Sequence, residues 1–341
     1  MKRMPGIKDV AKASGLSVGT VSNVLNHPEI VSASAKERVE KAIAELGFVP
    51  SDTGRSLRAG RSRLVGVIVF NIANPFFSQA ARAIENRLAK DGYYPMISSS
   101  DGDPKKEKEL IGQLTSQRVH GVILVPSKDA LSNIELLTRR KIPLVLMDHP
   151  PLSEQISSVA VDDETGAAEA IQHLVSLGHK NIGFINGPKD FSQARTRQQG
   201  VKQACANLGN SIKVTEINAG SFDSTDGGEA LKQLLLNHPE TTAVFCASDQ
   251  LALGAMREVR KLGLAIPGEM SIVGFDDIPA AAELVTPLTT IQQPMDDLGC
   301  SAAELLLEQK EPHHISFAPK LVVRDSTGAP RQTTLSLTNA E

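Results

Sequence analysis

Nine short runs of β-branched and apolar residues recur between Leu64 and Asp277, alternating with stretches of helical periodicity. They are LVGVIVF (64–70), YYPMISSS (93–100), GVILVPS (121–127), IPLVLMD (142–148), SVAVDD (158–163), NIGFING (181–187), VTEIN (214–218), AVFCAS (243–248) and SIVGFDD (271–277). Strands alternating with helices in this way predict parallel sheets covered by helices on both faces. The runs fall into two successive series, which predicts two similar α/β subdomains with a cleft between them. Ligands in such sheets bind beyond the carboxyl ends of the strands.

The first 63 residues read differently. They hold eleven Lys or Arg against six Asp or Glu, a charge of +5 within a chain whose net charge is −3. A basic head on an acidic body points to an anionic partner at one end only. Residues 7–14 place Ile7, Val10 and Ala11 on one helical face before Gly15 and Leu16 interrupt it. Ser17 is a good N-cap for a second helix with Val21, Val24 and Leu25 facing inward. Ser34 and Glu37 have capping-box spacing for a third helix that runs to Gly47. Three short helices with a tight turn between the first two make a helix-turn-helix unit. The second helix leaves Val18, Gly19, Thr20, Ser22 and Asn23 outside, small and almost uncharged. Such a face admits close approach of the backbone to base edges, where a merely solvated helix would carry Glu and Lys. A small helical protein-interaction domain is the alternative.

The segment resembles the headpiece and hinge of the LacI/GalR family of bacterial transcriptional repressors. The matching residues are D-V-A at Asp9–Ala11, G-x-S at Gly15–Ser17, T-V-S-x-V-L-N at Thr20–Asn26 and G-F-x-P at Gly47–Pro50. The resemblance implies that the second helix enters the major groove with Val18, Gly19 and Asn23 at bases. Thr20, Ser22 and Asn26 would hold phosphates and register, with the cap residue Ser17 also at the DNA. Asn23 stands where the family often has Arg, which favours adenine over guanine. After Pro50 comes SDTGRSLRAGRSR, a linker with four arginines and one large apolar residue, Leu57. In the family the matching segment forms a hinge helix whose leucine wedges into the minor groove. That role maps onto Leu57, with Arg55 and Arg58 on phosphates.

Distinctive residues gather at the strand ends of the body: NPFF at 74–77, Asp148 and His149, ARTRQQG with Arg195 and Arg197, Phe222, Ser248, Asp276 and Gln293. Two carboxylates, an arginine, an amide and several phenylalanines suit a polyhydroxylated ring. Phe76 and Phe222 fit a core role as well. The body is similar to the type I periplasmic-binding-protein fold that forms the family's effector domain, two Rossmann-like subdomains. Carried over residue by residue, the resemblance implies an effector pocket of Asn74, Phe76, Phe77, Asp148, His149, Arg195, Phe222, Ser248, Asp276 and Gln293. The set is closest to a ribose arrangement. His149 replaces an arginine and Ser248 an asparagine, so a nucleoside or another pentose fits about as well.

No nucleotide-loop, zincin or nucleophile-elbow pattern occurs, so catalysis, cofactors and metal sites are not expected. The acidic DGDPKKEKEL lacks most calcium ligands and reads as a turn into a helix. No run of about 18 apolar residues predicts a membrane span. Cys205, Cys246 and Cys300 lie far apart in apolar contexts, as buried thiols of a cytoplasmic protein do.

The expected layout is a headpiece at 1–50, a hinge at 51–63, an effector and dimerisation domain at 64–325 and a disordered tail at 326–341. Within the domain, residues 64–163 plus 293–325 form one subdomain and 164–292 the other. Such a chain is expected to be a homodimeric regulator released from a pseudo-palindromic operator in double-stranded DNA by a small effector, a pentose such as ribose or a nucleoside. A corepressor-driven regulator and a transport system's sugar-binding protein are the alternatives.

Overall fold

A computed structural model describes residues 3, 5–48, 62–128, 131–209, 212–308 and 310–332. They form two units, one ending at Ser62 and one beginning at Arg63. In the first, α1 (Ile7–Ser14) starts where the Asp9 carboxylate accepts the Gly6 N–H at 2.7 Å. It stops at Gly15, whose φ of 65° lies in the left-handed region where a side chain is strained. Ser17 caps α2 (Val18–Asn26), accepting the Thr20 N–H at 3.0 Å. The third helix, α3 (Ala33–Leu46), begins two residues earlier than expected: Ser32, not Ser34, is its cap and accepts the Ala35 N–H. Arg38 of α3 donates to the Ser14 carbonyl at 2.7 Å and so satisfies the end of α1. Val10, Ala11, Val21, Val24, Val39, Ala42 and Phe48 fill the small core between the helices.

In the second unit every predicted run contains a strand. The first sheet joins β1 (Leu64–Val69), β2 (Tyr94–Ser99), β3 (Gly121–Leu124), β4 (Leu144–Met147) and β5 (Ser157–Val161). Between them lie α4 (Pro75–Lys90), α5 (Pro104–Ser116) and α6 (Leu131–Arg139). Asp103 caps α5 through the Lys105 N–H, so the acidic DGD run is the turn into a helix. After α7 (Asp163–Ser176) the second sheet begins: β6 (Asn181–Asn186), α8 (Ser192–Leu208), β7 (Lys213–Asn218), α9 (Ser224–Asn237), β8 (Ala243–Cys246), α10 (Asp249–Lys261) and β9 (Ser271–Asp276). The short α11 (Pro279–Glu283) leads to β10 (Thr289–Gln292), an element the sequence patterning did not announce.

The chain then returns to the first sheet through α12 (Met295–Glu308), which packs on α4, and β11 (His314–Phe317). It crosses back at once to β12 (Lys320–Val322). The strand orders are β11-β5-β4-β3-β1-β2, parallel throughout, and β12-β10-β9-β8-β6-β7, parallel except at β12. The run from 293 to 325 is therefore divided between the subdomains rather than belonging to one.

The expected disorder from residue 326 is corrected as well. Ser326 is fully buried, accepts the Thr289 N–H and donates to the Ile272 carbonyl. His179 lies against the Gly328 carbonyl at 2.9 Å, and Arg331 donates to the carbonyls of Pro239, Thr241 and Glu269. Residues that cover a sheet end and satisfy its backbone groups are part of the core. Residues 333–341 lie outside the described residues. Cys246 is fully buried and Cys205 and Cys300 partly so, and burial pushes all three thiols up. Among the described residues no helix is long and apolar enough to cross a membrane.

Candidate functional site

On the headpiece, Ser17, Val18, Gly19, Asn23 and Asn26 are exposed along one side of α2, with Thr20 half-buried beside them. The Ser17 and Thr20 hydroxyls lie 2.9 Å apart. Ser22 departs from the expectation: it is buried, and the Asn26 amide donates to its carbonyl at 2.8 Å and to its hydroxyl at 3.3 Å. A nine-residue helix wedged between two others buries a wide stripe, and the small Ser22 fits beside Val21 where a larger polar group would not. Arg55, Leu57 and Arg58 lie outside the described residues.

In the body a cavity of about 340 Å³ opens between the two sheets at their carboxyl ends. The first subdomain supplies Phe70 and Asn71 after β1, the start of α4, Asp101 and Gly102 after β2, and Asp148 after β4. The second supplies Phe191, Gln193 and Arg197 around the start of α8, then Phe222, Ser248, Asp276 and Gln293 after β7, β8, β9 and β10. The fold itself brings these groups together, because each parallel strand ends on the same edge.

Eight of the ten candidate pocket residues line this cavity: Asn74, Phe76, Phe77, Asp148, Phe222, Ser248, Asp276 and Gln293. Arg195 and His149 do not. Helix α8 buries Gln193, Ala194, Arg197, Gly200, Val201 and Ala204, a stripe that leaves Arg195 exposed on the opposite face. Arg195 donates to the Lys189 and Asp190 carbonyls instead. The choice between the two arginines of ARTRQQG depended on helix phase, and the inward one is Arg197. His149 bonds the Pro150 carbonyl through Nδ1 at 2.7 Å, and burial lowers its pKa. Phe191, Gln193, Asp101 and Asp223 also line the cavity without having been singled out. They sit in loops or helix first turns, where no periodicity marks an inward position.

Arg197 is the electrostatic centre. Its side chain is 4% exposed, its Nε and Nη2 donate to Asp163 Oδ1 at 3.0 and 2.9 Å, and Nη1 donates to the Ala247 carbonyl. The guanidinium also lies 3.8 Å from the centre of the Phe275 ring, a cation–π contact. Burial pushes the Asp148 and Asp276 carboxyls well above the usual range, with Arg197 acting in the opposite sense. Burial works against the charge of Arg197, but Asp163, Asp276 and Asp148 outweigh it and raise its pKa. Asp148 and Asp276 both have positive φ, 54° and 128°, a strained backbone for residues other than glycine.

The subdomains touch across the cavity. The Gln193 amide donates to the Asp148 carbonyl at 2.5 Å and its carboxylate at 2.9 Å. Phe191 packs edge-on to Phe70 at 4.9 Å and to Phe222 at 5.9 Å. A Cβ on Gly102 would come within 2.6 Å of the Phe191 ring, so only glycine allows this approach.

A helix-turn-helix unit with an open small-residue face, on a two-sheet body with a polar and aromatic cleft, defines a class of ligand-responsive DNA-binding proteins. Residues 6–51 match the bacterial regulatory proteins of the lacI family, and residues 171–327 match a periplasmic binding protein-like domain. The chain is 35% identical over 329 residues to the HTH-type transcriptional repressor CytR of Escherichia coli K12, covering 95% of this chain and 96% of CytR. A lac repressor dimer bound to operator and the anti-inducer ONPF superposes with a TM-score of 0.83 at 30% identity, covering 96% of this chain and all of that one. A lacI-family regulator from Enterococcus faecium with bound ribose superposes with a TM-score of 0.71 at 30% identity, covering 79% of this chain and all of that one. The chain belongs to the lacI family of bacterial regulatory proteins, the DNA-binding transcriptional repressors, and is not an enzyme.

Proposed function

We propose that this repressor acts as a homodimer and leaves a pseudo-palindromic operator when a small sugar-type effector, a pentose such as ribose or a nucleoside, fills the cavity. The observation that carries the effector reading is the cavity itself, lined by Asp148, Asp276 and Arg197 together with several phenylalanines. Carboxylates and a guanidinium take ring hydroxyls in bidentate fashion, and phenyl faces cover C–H surfaces. The related regulator with bound ribose supports the same class. Val18, Gly19 and Asn23 read bases, Ser17, Thr20 and Asn26 hold phosphates, and Leu57 with Arg55 and Arg58 engages the operator centre.

Pairing through the body is supported by β2, the edge strand of the first sheet, which exposes Tyr94, Met96 and Ile97. An apolar edge of this kind calls for cover. Effector bound across the two sheets would fix their relative position, and reciprocal linkage then lowers affinity for DNA. Thermal unfolding against pentoses, hexoses and nucleosides tests the reading. Ligand at 100 times its Kd adds about 2.7 kcal/mol of stability. Ribose or a nucleoside raising Tm and releasing operator DNA supports it. A response to hexoses alone rejects the pentose and nucleoside classes, and stronger operator binding with effector reverses the direction.

A further inference from the structure

The cavity is built to accept hydrogen bonds from its ligand and is short of positive charge. Among the described residues four carboxylates line it, Asp101, Asp148, Asp223 and Asp276, against the single cation Arg197. Arg197 gives its hydrogen bonds to Asp163 and the Ala247 carbonyl and acts on Asp148 and Asp276 only through space, and burial still holds both carboxyls well above the usual range. Asp148 has one oxygen engaged by Gln193 and Asp276 has one engaged by Gln293, and each keeps its second oxygen without a hydrogen bond among the described residues. Gln293, 3% exposed, donates to Asp276, yet its Oε1 is buried with no hydrogen-bond partner. A buried acceptor left unpaired costs stability until a donor arrives. The second oxygens of Asp148 and Asp276 are therefore acceptors for O–H or N–H groups of a ligand. The lining residue Asp101 is itself paired with Lys106 at 2.5 Å.

We infer that the effector carries no anionic group: the site takes the free, hydroxyl-rich compound and rejects its phosphate ester. This rests on the proposed effector site and adds a condition to it. A phosphate offers only acceptors to a lining rich in acceptors and brings up to two negative charges among four carboxyl groups, a juxtaposition that disfavours the ester. The signal sensed is then the compound before a phosphoryl transfer or after a phosphate hydrolysis, not the ester between them.

The test is titration of the full-length protein, by calorimetry and thermal shift, with ribose against ribose 5-phosphate and with nucleosides against their 5′-monophosphates, inorganic phosphate serving as a control. The expected result is binding of a parent compound and a loss of about 100-fold or more for its ester. In Asp148→Asn that ratio narrows, because one acidic group that opposes an anion is gone and the amide can donate to the ester. An ester that binds as tightly as its parent, or that alone binds, overturns the inference while leaving the effector site intact. An unchanged ratio in Asp148→Asn also overturns it. Silence from every parent and every ester overturns the effector reading beneath it.

Discussion

The two binding surfaces of this repressor are made by opposite means. On the headpiece, Ser17 bonds Thr20 and Asn26 bonds Ser22, both within about one turn of α2. Val18, Gly19 and Asn23 stand exposed on a domain whose core has seven buried side chains among the described residues, none larger than Phe48. The cavity of the body instead holds an arginine and several carboxylates almost wholly out of water, each tied to a different strand end. A surface site needs only a rigid helix, because its partner supplies the energy of recognition. A buried charged site needs the whole fold to compensate the groups it desolvates.

Arg197→Met should break this contrast most severely. It leaves Asp163 buried without its cation, at a cost of about 3–5 kcal/mol. Urea unfolding of the full chain is expected to show that loss in the body, while the headpiece transition stays where it was. A loss below 1 kcal/mol would mean the pair behaves as a surface ion pair.

A second buried carboxylate shows its burial through pH. Asp249 accepts the Thr290 hydroxyl at 2.6 Å and the Ile278 N–H at 2.9 Å, and burial raises its pKa to about 7 from 3.8. Between those values the folded state holds a proton that the unfolded chain has released. Stability contributed by this group is therefore fully present near pH 4 and is lost as the pH rises to about 7. Asp249→Asn keeps an acceptor for Ile278 and a donor for Thr290 and should flatten that slope in melting profiles across the window. Buried His179, its pKa lowered chiefly by burial, runs the other way: its contribution is lost as the pH falls through the usual histidine range. A slope in Asp249→Asn equal to that of the parent would assign the dependence elsewhere.

The headpiece responds in binding rather than in folding. Asn23→Ala should leave Tm unchanged and weaken specific operator binding by about 1–3 kcal/mol at one base position. Equal weakening on every sequence would make Asn23 a phosphate contact instead. The smallest effect belongs to Ser17→Ala, which removes the cap of α2 and should cost about 1 kcal/mol in headpiece stability. Circular dichroism melts would show it, and a neutral result would mean that packing alone holds the start of α2.

Local pattern was enough wherever a residue's role follows from its nearest neighbours. The nine apolar runs became nine strands, Ser17 became the cap of α2, and Asp103 became the cap of α5. The misses are places where the deciding contact is distant. β10, β11 and β12 are three or four residues long and are held by neighbours already in place, so their own sequences carry little strand signal. The segment from Ser326 reads as a polar tail, yet Ser326 is buried and the residues after it are tied to the body, because Thr289, Ile272 and His179 supply partners.

The sequence by itself determined the two-sheet α/β body, the three-helix headpiece and the strand ends at which binding chemistry collects, since periodicity and capping act over a few residues. Only the tertiary structure decided which way α8 turns. Rotation of that helix puts Arg197 against Asp163 and leaves Arg195 in water, and the burial of Ala194, Gly200 and Val201 fixes the rotation. It also decided that Gln193 reaches across to Asp148 and that Gln293 Oε1 stays unpaired. Hydrogen-bond satisfaction is a property of groups brought together from remote parts of the chain, and no local pattern encodes it.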